Sequence, residues 1–270
     1  MRLVRRLGNA ARLGCVLAFA VLVSGMAFAQ QPATPSDLDR LIAFFYRDPR
    51  PERLAGVFAS EQAQSSSWMA YPPITGLLAR SFNLHPDWIE RLIPNAPDSK
   101  AASTLVAALR LSGHAAEAER FRARLGNGGL DAKLEGEFAA LPARLEDIRI
   151  KTPSDLDVLW GASFADGDGR YVRQIIDFFA DAANESEPVA LDVARICVAM
   201  AGGPKDVYAG LKAKYSEAQA RRLVYAATAL WAIGSNARQH EYVKHTAADY
   251  IRDHQGAPAT NALSVITGTK

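Results

Sequence analysis

The hexapeptide Thr-Pro-Ser-Asp-Leu-Asp stands at residues 34–39 and again at 152–157, 118 residues further on. If it marks two copies of one unit, the chain is limited to folds that can be built twice. Other anchors recur in the same order: Pro73 with Ala79-Arg80 and Pro188 with Ala194-Arg195, Pro86 and Pro204, Leu109 with Gly113 and Leu230 with Gly234, at offsets of 115, 118 and 121. Either the chain is a duplication with small insertions, or helix-start chemistry has arisen twice. In the second case Ser36 or Ser154 caps the first amides and Asp39 or Asp157 sits at the third helical position. A series of ordered anchors favours duplication, because convergence explains one match more easily than several.

Apolar residues within each half recur at helical spacing. Leu38, Leu41, Ile42 and Phe45 form one stripe and Leu156, Leu159, Trp160 and Phe164 its counterpart. Val172, Ile175, Ile176 and Phe179 form the next, answered by Leu54, Val57 and Phe58 across a turn of Pro49 and Pro51 or of Gly167 and Gly169. Further helices are expected after Pro73 or Pro188 and, briefly, after Pro86 or Pro204. Next come Ala102, Leu105, Val106 and Leu109, or Leu223, Ala226, Ala227, Leu230 and Trp231, with another helix past Gly113 or Gly234. No stretch alternates with period two for long enough to make a strand. The expectation is an all-α fold of helical hairpins stacked as a repeat-like solenoid or bundle, because hairpins that cannot bury their faces alone stack on neighbours. The divisions read as a leader at 1–29, a flexible segment at 30–35, a first helical half at 36–126 and a connecting segment at 127–151 with one short helix. A second half follows at 152–255, and a flexible tail at 256–270.

The leader is read from Arg2, Arg5, Arg6 and Arg12, an apolar core from Leu13 to Val23, and the small-x-small site Ala27-Phe28-Ala29. Sec-type export with cleavage after Ala29 is expected, giving a periplasmic or secreted protein with no stable membrane anchor. Of the 31 basic and 29 acidic residues in the chain, the leader holds four arginines and no acid, so 27 face 29 afterwards. A near-neutral mature chain without a Lys/Arg stripe argues against nucleic acid as a partner. Only Cys197 survives cleavage, which excludes an intrachain disulfide.

Gly113-His114-Ala115-Ala116-Glu117-Ala118-Glu119 resembles the second-helix start of a tetratricopeptide unit, where a glycine lets helices approach and an alanine packs five residues on. The resemblance covers about a dozen residues and implies a related helical-repeat architecture. Leu159-Trp160-Gly161 followed by Gly167-Asp168-Gly169-Arg170-Tyr171 resembles a phrase of uncharacterised secreted bacterial helical proteins, which implies no activity.

The chemistry-bearing motifs each meet an objection of spacing. Asp166 and Asp168 begin a calcium-loop pattern that meets Arg170 and Tyr171 where a ligand and a glycine belong. His240 and His245 are five apart, about 140° round a helix, so they do not share an ion as HExxH histidines do, and they read as surface residues. Ser163 lies inside a helical stripe rather than on a nucleophile elbow, and Cys197 sits between Ile196 and Val198 as a buried, inert thiol. Glu135 with Glu137, or Asp155 with Asp157, are two apart and do not face each other as a glycosidase pair would. No catalytic, cofactor or metal residue is therefore expected. The least ordinary loop, Ser65 to Pro73, carries Trp68 and Tyr71, which make either a binding tip or a cover folded back on the helices. The reading is a non-catalytic binding or scaffolding module of the bacterial envelope whose partner is another envelope protein. The alternatives are a periplasmic hydrolase of cell-wall material and a carrier of an apolar small molecule.

Overall fold

The computed structural model describes residues 37–58, 60, 64, 67–93, 101–126, 130, 132–203 and 207–269. The expected leader and the segment 30–35 lie outside the described residues. Among the described residues there are fourteen α-helices and no strand, as the periodicity requires. No helix among them is long and apolar enough to cross a membrane. In chain order they are α1 (Asp37–Ala43), α2 (Pro51–Phe58), α3 (Pro72–Leu84), α4 (Asp87–Leu92), α5 (Ala102–Leu111), α6 (Ala115–Leu125) and α7 (Ala132–Ala140). Then follow α8 (Pro153–Asp166), α9 (Gly169–Ala183), α10 (Glu187–Met200), α11 (Val207–Lys214), α12 (Glu217–Ala237), α13 (Glu241–Asp253) and α14 (Pro258–Thr267).

The helix starts follow from cap chemistry, with one shift from expectation. The hexapeptide at 152–157 does not use Ser154 as its cap: Thr152 does, accepting from the Asp155 amide while the Asp155 carboxylate accepts from the Thr152 amide. Pro153 takes the first helical position, where its fixed φ suits the helix and its missing N–H is not needed. Asp157 thereby moves out of the capping site and into the body of α8. Ser216 and Gln219 form the same reciprocal cap on α12, while on α10 the Ser186 hydroxyl accepts from the Val189 amide alone.

Two compact units result, Ala33–Val172 and Arg173–Lys270. In the first, α3 packs along α8 and against α5, and α5 against α6. Ile74, Leu77, Leu78, Phe82, Leu105, Leu109 and Leu159 fill the space between them, all fully buried. The α3–α8 contact is set by two glycines: a Cβ added at Gly76 would stand 1.8 Å from the Val158 carbonyl oxygen, and one at Gly161 would stand 2.0 Å from that of Pro73. The two backbones touch because neither residue has a side chain.

In the second unit α12 is the central helix, packed by α10, α13 and α14 over Val193, Ile196, Leu230, Ile233 and Leu263. Two expectations are corrected there. Gly234 does not end a helix: it lies inside α12, buried, where a Cβ would stand 2.2 Å from the Ile266 side chain, so it serves close packing and the helix runs on to Ala237. Residues from 256 onward, read as a tail, form α14, which starts at Pro258, buries Ala259, Thr260 and Leu263, and stops at left-handed Gly268. Asn184 accepts from the Ala259 amide, satisfying a donor that the helix start would otherwise leave free.

Candidate functional site

Trp68 and Tyr71, the residues singled out in the loop before α3, are placed differently from each other. Trp68 opens a 3-10 turn capped by the Ser67 hydroxyl, and its ring is turned inward, 5% exposed, while neighbouring Met69 faces out. Its indole N–H has no hydrogen-bond partner among the described residues. Tyr71 is half-buried and donates its hydroxyl hydrogen to the Asp39 carboxylate of α1.

Asp39 and Asp157 are the last residues of the two hexapeptides, and the fold brings both within electrostatic reach of the Tyr71 phenol. Burial, then the hydrogen bond to Asp39, then the charges of Asp39 and Asp157 push the phenol far above its ordinary range, so it remains a donor at any physiological pH. Partial loss of hydration pushes the Asp157 carboxyl up to about 6, even though the residue as a whole is exposed. The folded chain thus holds a proton on Asp157 over a window, from about 4 to about 6, in which the unfolded chain has released it. That contribution is present below the window and is lost as pH rises through it. Asp157→Asn should therefore flatten the stability difference between pH 4 and pH 7. The check is denaturant unfolding of wild type and variant at each pH, taken as a difference so that the other carboxylates cancel. A difference that does not change with pH would show that Asp157 titrates alike in both states.

A second polar cluster ties α3 to the end of α8 and the start of α9. Arg80, 5% exposed, reaches Asp166 with Nε at 2.7 Å and Asn83 with a terminal nitrogen at 2.8 Å, and its guanidinium stands 5.7 Å from the Tyr171 ring centre. Tyr171 donates to Glu146 at 3.1 Å. Burial alone would raise Asp168, but the Arg170 side chain and backbone N–H, with the charges of Arg170 and Arg80, hold it below its ordinary value. The two aspartates of the calcium-like pattern are thus engaged by arginines and by the turn's own amides, Asp166 accepting from the Asp168 N–H.

The remaining motifs resolve in the same structural terms. Ser163 is fully buried and donates to the Trp160 carbonyl at 2.8 Å. Cys197 is buried and its thiol is pushed up to about 12 by loss of hydration. His240, expected at the surface, is 1% exposed, because it precedes α13 and turns its ring against Tyr242, whereas His245 is exposed. No three His, Cys, Asp or Glu residues among those described are placed to share a metal ion.

Two open clefts indent the surface. One, of about 860 Å³, lies between α4 and α6, with Ile89, Ile93 and Ala123 between charged edges that include Glu90 and Arg124. The other, of about 540 Å³, lies between α11 and α12 over Leu211, Ala220 and Val224, with Lys212 and Arg221 at its edge. Beyond it Trp231, expected on the inner stripe of α12, is instead 42% exposed, since Leu230 and Ile233 already meet the core on the other side. Sequence periodicity could not separate Trp231 from Leu230, because adjacent residues at a stripe's edge differ by only 100°. No family model, curated protein or solved structure matches the chain.

Proposed function

We propose that the chain is an exported helical-repeat protein that acts as a non-catalytic binding or scaffolding module of the bacterial envelope, with another envelope protein as its partner. The observation that carries this reading is the α11–α12 cleft, whose apolar floor leads to an indole that the unit's own core leaves uncovered. Duplication is supported by the order of packing: α3 with α5 and α5 with α6 in the first stretch correspond to α10 with α12 and α12 with α13 in the second. The short helices α4 and α11 hold the same place in each. One observation favours the hydrolase reading instead: the carboxyl of Asp157, an exposed residue within reach of the Tyr71 phenol, is raised to about 6, and an acid that keeps its proton near neutrality is the kind that protonates a leaving group.

Cross-linking the tagged protein in intact envelopes separates the two. The module reading expects discrete protein adducts, equally abundant when Asp39 and Asp157 are both changed to Asn. Absence of protein adducts, together with release of soluble fragments from cell-wall material by the wild type and not by that double variant, overturns it.

A further inference from the structure

We propose that the α11–α12 cleft and the stripe running from it along α12 form a groove for an acidic amphipathic helix of a partner protein, an inference that rests on the binding-module reading and gives it a partner chemistry. The helix α12 is apolar on two sides. Leu223, Ala226, Ala227, Leu230, Ile233 and Ala237 are buried in the unit's core. Ala220, Val224, Thr228 and Trp231 fall within about 80° of one another on a different side at 100° per residue. The first three are partly open to solvent and Trp231 is 42% exposed. Met200, at the end of α10, widens the strip: it is 38% exposed and its sulfur lies 3.9 Å from the Thr228 hydroxyl. From Ala220 to Trp231 the strip extends about 16 Å, the length of roughly three helical turns. It begins in a concavity, which suits an inserted side-chain ridge better than the face of a bilayer.

The charges around the groove choose the partner's polar face. Lys212 has no ion pair among the described residues. Arg221 shares Glu217 at 2.9 Å while remaining 57% exposed. Buried Asp192 is contacted by both Lys214, at 2.5 Å, and Arg195, at 3.3 Å, and also accepts from Tyr215, which lines the groove. Of the charged residues that line the cleft, Lys212 and Arg221 outnumber Glu217, so the rim is left with a positive excess that an acidic helix edge would neutralise.

The molecule supplies its own reporter. Of its four tryptophans, Trp68, Trp88 and Trp160 are 5%, 7% and 5% exposed, so iodide quenching reads Trp231. The probes are 18-residue amphipathic helical peptides with one apolar face and an acidic, neutral or basic polar face, and vesicles of zwitterionic lipid with one quarter anionic lipid. The acidic peptide should shift the emission to the blue and protect it from iodide, with binding weakened about 30-fold by Trp231→Ala, read by peptide fluorescence anisotropy. Lys212→Glu should weaken it roughly tenfold, and added salt should mimic that change. Protection by vesicles but by no peptide, equal binding of all three peptides, or indifference to Trp231→Ala overturns the proposal. If envelope cross-linking still gives protein adducts in that case, only the groove and its partner chemistry fall; if it gives none and the wild type releases soluble cell-wall fragments, the module reading falls with them.

Discussion

Gly76→Ala should remove about 3 kcal/mol of stability, although alanine is the better helix former. The added carbon would stand 1.8 Å from the Val158 carbonyl oxygen and 2.9 Å from the Ala162 nitrogen, and both are backbone atoms that no side-chain rotation can move. Relief requires α3 and α8 to separate, which opens the contact filled by Leu77, Leu78 and Leu159. Gly161→Ala should cost a similar amount, since its carbon meets Pro73 across the same interface, and the double variant should cost less than the two together because one separation relieves both. Gly136→Ala is the control: that glycine is exposed in α7 with open space where the carbon would go, and the change should stabilise by about 0.5–1 kcal/mol. Guanidinium unfolding followed by far-ultraviolet circular dichroism gives all four values. If Gly76→Ala is as harmless as Gly136→Ala, the close approach of α3 and α8 is wrong.

That contact also marks where the sequence stops being informative. The stripes of Leu156, Leu159 and Phe164, or of Ile175, Ile176 and Phe179, are visible because a helix places residues three and four apart on one face, and each of these side chains is buried. A glycine inside such a stripe reads only as a weak point, because its reason lies in a carbonyl more than 80 residues away in the chain. From the sequence the cap of α8 is placed two residues late, at Ser154, for a different reason. Thr152, Ser154 and Asp155 are all good cap residues, and only the geometry of Pro153 at the first helical position decides for Thr152. The start of α14 did carry a signal, with Pro258 followed by Ala259, Ala262, Leu263 and Ile266 at helical spacing and Gly268 after them, but small residues give that stripe little contrast. At the candidate sites, Trp68 and Tyr71 were recognisable as unusual loop residues. The partnership of Tyr71 with Asp39 and the outward turn of Trp231 were not, since each depends on which neighbour has already filled the core.

Arg80→Leu should be as damaging as Gly76→Ala, by about 3 kcal/mol, and for an electrostatic reason. The arginine side chain is 7% exposed and that of Asp166 17%, so deleting the cation leaves a carboxylate with little water to replace the bond at 2.7 Å. Asp168 retains Arg170 and is spared, which places the loss on Asp166. Asn83, bonded to the same guanidinium, loses its partner as well. Leucine fills the apolar part of the arginine's volume, so the deficit reports the stranded charge rather than a cavity. Asp166→Leu in the Arg80→Leu background should then restore part of the loss, because an apolar pair of similar size avoids the desolvation that the charges incur. A double-mutant cycle from chemical denaturation gives the coupling between the two residues, expected at about 1–3 kcal/mol. A coupling near zero would mean that solvent reaches the pair and that Arg80 holds α3 to the α8–α9 turn by packing against Tyr171 alone.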